Sequence, residues 1–467
     1  MLKKYDTVII GSGISGLTSA ILCAKKGLKT AVIEQAQNIA PLFSGFTRKD
    51  VHFETGFHYT YGLGKGEIGD YYFKDLGLDI KSKLLNKTGY DKIVFPSGKS
   101  FEMVYGRNDL EKKLISCYPD EEKAIKEYFN NVYECYNKLP FLNIHKNSSF
   151  DINVSVSTPE SVKDILDYYF KSDEIKAILS AVFFLHGTSL DKISFGEQVC
   201  VSGGLYDGAY GIVGGGRAVV NAYKKVLQNL KVDVFLNTKA LKIDLSDTKK
   251  TVRTKNDDFE CDVCISTIHP KQFLDIAPEK VYRDSYKSHI QEKNETPGFF
   301  IVYARNNGKK VENTNIFALS DYNLNSLFDY NNENKSLHLN FSDTDPQAVT
   351  ITCLVPSDIN YWSKDKEEYK KQKEYFVDLI KRNLNEKLKD TAENLEILDS
   401  SSPLTTKRYV GYTGSYALEH DMHKLMLFPM TKIKGLFLSG QSVITTGLLG
   451  AIITAYVIDK IMEKQNG

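Results

Sequence analysis

Three groups of residues in this 467-residue chain have types and spacings that bear on chemistry. The first is Gly11-Ser12-Gly13-Ile14-Ser15-Gly16, with Glu34 and Gln35 downstream. Glycines in this G-x-G-x-x-G spacing suit the pyrophosphate of a dinucleotide, provided a strand precedes them and a helix follows. Gly11 permits the tight turn, Gly13 lets the backbone approach the phosphates, and Gly16 lets the helix lie close to the sheet. The helix N-terminus then offers N–H groups and the positive end of its dipole. Glu34 can accept hydrogen bonds from ribose hydroxyls and would repel a 2′-phosphate. The second group is Glu54 and His58, a carboxylate and an imidazole with general acid–base potential. The third comprises Cys261 with Cys264, and His420 with His423. Neither pair has further ligands nearby in the sequence, so no metal site is expected.

The flanking pattern supplies the elements the fingerprint needs. Residues 6–10 (D-T-V-I-I) read as a buried parallel strand. Leu17, Ala20, Ile21 and Ala24 have helical spacing, Gly27 stops that helix, and residues 30–33 form a second strand ending at Glu34. Near the C-terminus, residues 435–439 read as another strand. Gly440-Gln441 and a loop through Gly447 follow, then a helix from about Gly450-Ala451. A second strand-to-helix turn would serve another part of a long cofactor, which favours FAD over NAD. Between these ends, residues 217–230, 112–139, 161–184 and 367–388 read as helices. Residues 233–236, 240–244 and 259–265 read as strands, and 321–334 as an exposed loop.

Lysine plus arginine number 60 against 59 acids, so no net field draws nucleic acid or an anionic membrane. The seven scattered cysteines suit a reducing compartment, and a cytoplasmic location is expected. Lys3 and Lys4 precede an apolar run, but Gly11, Gly13 and Gly16 interrupt it. The apolar stretch 435–462 is broken by Ser439, Gln441 and Thr445. Neither reads as a membrane segment.

Further motifs stand in order along the chain. They are His52-Phe53-Glu54-Thr55-Gly56-Phe57-His58-Tyr59, Phe95-Pro96-Ser97-Gly98-Lys99, Tyr118-Pro119-Asp120-Glu121-Glu122 and Gly214-Gly215-Gly216. Asp262-Val263-Cys264-Ile265-Ser266, Ser402-Pro403-Leu404-Thr405 and Gly440-Gln441-Ser442 complete the series. With the fingerprint, they make the chain resemble the FAD-dependent family of phytoene desaturases, carotenoid isomerases and retinol saturases, closest to the saturases. Residues 280–400 carry almost none of these motifs.

The resemblance implies an α/β fold in which a Rossmann-like FAD-binding domain (1–70, 200–275 and 405–467) interleaves with an α+β substrate domain (71–199 and 276–404). It implies FAD contacts at Gly11, Ser12, Gly13, Ile14, Ser15, Gly16, Glu34, Gln35 and Arg48. The backbone of Ala240, together with Gly440, Gln441, Gly450 and Ala451, would complete them. Three positions depart from the family pattern. Ala40-Pro41 stands for a Gly-Gly pair, Glu54 for an aspartate, and Ile212 for a proline. The implied activity is oxidoreduction at carbon–carbon double bonds of an apolar polyene, retinoid or isoprenoid, reducing rather than desaturating. A proton donor at His58, with Glu54 nearby, would then serve as catalyst. A flavin-dependent cis–trans isomerase is the alternative enzyme. A flavin-free lipid-binding chaperone of the same fold is the other alternative, and the intact fingerprint argues against it. Such a substrate also suggests peripheral contact with a membrane, and the electron donor is left open.

Overall fold

The computed structural model describes residues 1–86, 89–139, 142, 157–246, 248–309 and 315–466. Five parallel strands form one sheet in the order Asp233–Phe235, Thr30–Ile33, Thr7–Ile10, Val263–Ser266, Leu436–Leu438. Thr7–Ile10 and Thr30–Ile33 are buried at every position, as β-branched runs are in a sheet covered on both faces. The first strand feeds the helix Ile14–Lys25, buried from Ile14 through Cys23 and packed on the C-terminal helix Gly447–Asn466. Strand order runs outward in both directions from Thr7–Ile10, which opens a crevice at the carboxyl ends of the strands.

A second, seven-stranded mixed sheet has the order Leu395–Ser401, Gly298–Asn306, Ala348–Val355, Leu337–Phe341, Asn315–Ala318, Asp91–Val94, Ser100–Met103. Leu337, Leu339, Phe341, Ile351 and Cys353 turn to one face and pack with Phe376, Leu379 and Ile380 of the helix Lys366–Lys387. By two-residue alternation the opposite face carries Asp91, Asn315, Phe317, His338, Asn340, Thr350 and Thr352. These are buried as well. Ile93 and Phe317 on that face join the same apolar cluster as Ile9 and Leu17 of the nucleotide-type unit.

Four expectations need correction. The helix expected over 112–139 is two, Arg107–Cys117 and Glu122–Lys138, parted by a 3-10 turn at Pro119–Glu121. Residues 259–265 are not one strand. The chain breaks at Asp262 into Asp258–Cys261, in a small antiparallel sheet, and Val263–Ser266, in the parallel one. The helix expected over 161–184 divides into Val162–Tyr169, Asp173–Ser180 and a 3-10 turn Ala181–Leu185, because Ser172 caps a new helix at Ile175 N–H. The loop 321–334 is anchored by buried Leu324 and Leu327. Among the described residues, no helix is long and apolar enough to cross a membrane. All seven cysteines are free thiols.

Candidate cofactor and substrate site

The fingerprint glycines have different reasons to be glycine. Gly11 has φ +99°, and a Cβ there would lie 2.6 Å from Thr267 Oγ1. A Cβ on Gly16 would collide with the carbonyl oxygen of Gly11. The fold itself therefore requires both. Gly13 caps the helix Ile14–Lys25 at an ordinary φ of −63°, and a Cβ there would meet nothing within 4 Å. No side chain caps this helix and its first turn carries no acid. Backbone N–H groups at the positive end of a helix thus face open space, the setting an anion requires.

Glu34 is buried behind this turn. Its Oε2 accepts from the N–H of Ser12 at 2.8 Å and from Ser12 Oγ at 2.7 Å, while Oε1 accepts from the N–H of Ala36 at 2.7 Å. The following turn closes over it, with Thr238 N–H on the Glu34 carbonyl and Asn237 N–H on that of Ala36. Ala240, buried, comes next along the chain. Gln35 is exposed.

The second turn meets the first where Ser439 Oγ lies 2.5 Å from Ser15 Oγ. Gly440 has φ +119° and Gly447 φ +81°, and a Cβ on Gly450 would collide with the Thr445 carbonyl oxygen. Ala451 is half-buried one residue further along the helix. Ile444, between these glycines, is left-handed at φ +73°, a strained setting for a β-branched residue that the packing around it enforces. His420 braces the loop. One ring nitrogen lies 3.0 Å from the Gln441 carbonyl and the other 3.2 Å from Glu197 Oε1. Sequence reasoning weighed His420 only as a metal ligand with His423, whose ring turns instead toward the Asp191 carbonyl.

Residues 40–59 link the crevice to the seven-stranded sheet. Ala40 takes the left-handed conformation (φ +44°) that a glycine pair would supply, and its N–H donates to Ser12 O at 3.0 Å. Arg48 is more than half exposed, with Nε 3.0 Å from Asp399 Oδ2, so its guanidinium is engaged on a surface hairpin. Glu54 accepts from the N–H of Gly216 at 3.1 Å and from the Thr344 hydroxyl at 3.2 Å, and burial raises its pKa. Gly215 and Gly216 are glycines because a Cβ on either would meet this carboxylate. Glu54 is thus a tie between hairpin, helix and sheet.

His58 has other partners than Glu54. It bonds to Asn340, its Nδ1 has no partner, and burial lowers its pKa to about 4. A neutral imidazole carries one N–H donor and one acceptor lone pair. Its ring is half-buried yet strongly desolvated, so the surface it presents lies inside the protein. Next to it, Tyr59 OH donates to Asp91 Oδ2 at 2.9 Å. Asn315 Nδ2 donates to Asp91 Oδ1 at 2.9 Å, and Asn340 Nδ2 to Asn315 Oδ1 at 2.8 Å. Burial pushes the Asp91 carboxyl up to about 7. Sequence reasoning missed this seam. Its one signal is the apolar–polar alternation Leu337-His338-Leu339-Asn340-Phe341.

Two helix N-termini opening at the carboxyl ends of one parallel sheet, with a buried acid behind the first, define a dinucleotide-binding α/β flavoprotein fold. Residues 14–456 match the flavin-containing amine oxidoreductase family, and the chain belongs to that family. It is a FAD-dependent oxidoreductase. It is 24% identical to the all-trans-retinol 13,14-reductase of Rattus norvegicus, over 99% of this chain and 86% of that protein. Identity to the chloroplastic prolycopene isomerase of Daucus carota is 23%, over 40% of this chain and 32% of that one. Among solved structures, an oxidoreductase from Methanosarcina mazei shares the fold, with a TM-score of 0.71 at 14% identity over 99% of this chain and 100% of the other.

Proposed function

We propose that this chain reduces a carbon–carbon double bond of an apolar polyene or isoprenoid substrate. The observation that carries the reading is the extent of similarity. The retinol reductase matches almost end to end, whereas the isomerase matches less than half of the chain. The unit built on the seven-stranded sheet, from residues 71–199 and 276–404, is the substrate unit in this reading. Residues 1–70, 200–275 and 405–467 form the FAD unit.

Bound FAD supplies two-electron redox chemistry. Gly11, Ser12, Gly13, Ile14, Ser15 and Gly16 would hold its pyrophosphate, Glu34 and Gln35 the ribose, and the Ala240 backbone the adenine. Gly440, Gln441, Gly450 and Ala451 would hold the far end. Arg48, paired with Asp399, is a contact only if that pair opens. Phe184, Phe317 and His338 pack together on the seven-stranded-sheet side and would lie on the substrate side in this reading. The reaction also needs a proton at the second carbon. Asp91 Oδ2 and the Tyr59 hydroxyl hold one near neutral pH, since the carboxyl titrates at about 7. A peripheral membrane contact through the substrate unit would deliver an insoluble polyene.

The test is an anaerobic incubation of the chemically reduced, yellow-when-oxidised protein with all-trans-retinol. The expected product is two hydrogens heavier, with one reductant consumed per product. A rearranged isomer formed without reductant consumption would favour the isomerase, and purified protein lacking flavin absorbance would end the proposal.

A further inference from the structure

We propose that the cavity lined by Lys293 and Met426 is a second binding site, which takes the carboxylate of a short-chain apolar acid on the Lys293 ammonium group. It has a volume of about 330 Å³ and is lined by Lys293, Glu197 and Asp421 together with Met422, Met426 and Leu427. Leu425, 62% exposed, belongs to the same wall, so the cavity reaches the surface. Lys293 itself is 4% exposed. Among the described residues its ammonium group donates no hydrogen bond and has no carboxylate within 4.0 Å. The two other buried lysines among those residues are satisfied. Lys250 Nζ donates to the Asp262 carbonyl at 2.6 Å, and Lys335 Nζ to those of Asp329 and Tyr330 at 3.3 and 3.0 Å. An unpaired buried cation costs stability, and stability given up in a cavity wall marks a ligand site.

The charges around the cavity set the charge of its ligand. Glu419 is offset by Lys192, 3.5 Å away. Glu197 Oε1 lies 3.2 Å from His420 Nδ1, while His420 Nε2 lies 3.0 Å from the Gln441 carbonyl oxygen. A carbonyl only accepts, so Nε2 carries a proton, and the contact with Glu197 requires another between Nδ1 and the carboxylate. That pair is neutral as a unit, wherever the second proton sits. Asp421 is then set against two cations, Lys293 and Lys424. The surplus is a single positive charge, which a monoanion neutralises and a dianion overshoots. Burial lowers the Lys293 pKa and Asp421 opposes this only in part, so an added carboxylate favours the charged amine. Met422, Met426 and Leu427 offer the rest of the ligand an apolar wall. A second cavity that Lys293 borders has a mostly polar lining, Glu292, Glu295 and Asp358 included, and suits such a molecule less.

The experiment titrates the FAD-loaded protein by calorimetry with hexanoate, hexan-1-ol and inorganic phosphate. Hexanoate should bind at one site, about tenfold or more tightly than the alcohol, the usual worth of a hydrogen bond to a charged group. Phosphate should not displace it. Lys293→Met should lower hexanoate affinity by about tenfold or more and leave that of the alcohol unchanged. With no hexanoate present, the same variant should melt at a higher temperature than wild type, since it removes an unpaired buried charge. Hexanoate binding no tighter than hexan-1-ol, its displacement by phosphate, or undiminished binding to Lys293→Met each overturns the proposal. So does a lower melting temperature in the variant, which would give Lys293 a structural role instead. The polyene reading is untouched by any of these outcomes, because no polyene enters the test.

Discussion

The fingerprint glycines separate two demands that a motif merges. Gly16→Ala drives a methyl into the Gly11 carbonyl, so it should destabilise the protein by about 1–3 kcal/mol with or without cofactor. Gly13→Ala meets no atom and keeps an allowed φ, so the cofactor-free protein should melt as wild type does. Its FAD affinity should nevertheless fall by roughly tenfold or more, about 1.4 kcal/mol, because the methyl occupies the approach to the phosphates. Melting temperatures without FAD, set beside FAD titrations, check both. Equal FAD affinity in Gly13→Ala and wild type would move the pyrophosphate elsewhere. Asp91 gives a pH signature. An unfolded aspartate titrates near about 3.9, whereas folded Asp91 titrates at about 7. The folded state therefore binds the proton more tightly. The stability this group contributes is fully present below about pH 4 and lost as pH rises through about 7. Asp91→Asn should flatten that part of the curve, measured by urea unfolding at pH 5 and pH 8.

Turns, rather than strands or helices, carry the site at the scale of elements. The loop 440–447 joins a strand to the C-terminal helix through three left-handed residues, Gly440, Ile444 and Gly447, and is held from outside by the His420–Glu197 pair. The turn at Ala40 makes the equivalent connection after Glu34, but on an alanine. A left-handed alanine costs about 1–2 kcal/mol, against a smaller unfolded-state penalty for glycine. Ala40→Gly should therefore raise stability by about 0.5–1 kcal/mol with FAD binding intact. A loss of stability in chemical denaturation would show that the Ala40 methyl, buried at 2% exposure, matters more through packing.

For the whole molecule, the loop 54–62 reaches the seven-stranded sheet through Tyr59 and Asp91, and the delivery of an apolar substrate becomes a surface question. Tyr133 and Tyr168 are 52% and 80% exposed on the contacting helices Glu122–Lys138 and Val162–Tyr169. Tyrosines placed this way suit a lipid interface. With a net charge of +1, binding should rest on apolar contact. Weak, reversible binding to neutral phosphatidylcholine vesicles should persist at about 0.5 M salt, where charge interactions are screened within a few ångströms. Replacing both tyrosines with serine should abolish it. Flotation assays across salt concentrations provide the measurement, and no binding at any salt would point to a substrate carried in solution.

The sequence by itself determined the nucleotide half of this protein. Its signals are local: β-branched runs, helical spacing in Leu17, Ala20, Ile21 and Ala24, and glycines whose backbone roles can be read one residue at a time. The C-terminal strand, loop and helix were legible for the same reason, and so was the long helix Lys366–Lys387. Only the tertiary structure decided the substrate side. Residues 280–400 hold most of a seven-stranded sheet whose strands pair across long stretches of chain, and no local pattern states those pairings. Alternation in Leu337–Phe341 marks two faces but not what covers them, so the burial of His338 and Asn340 follows only from the fold. Glu54 and His58, four residues apart, looked like partners. The fold gives one to a helix N-terminus and the other to an amide seam, because a side chain's chemistry follows from what is packed against it.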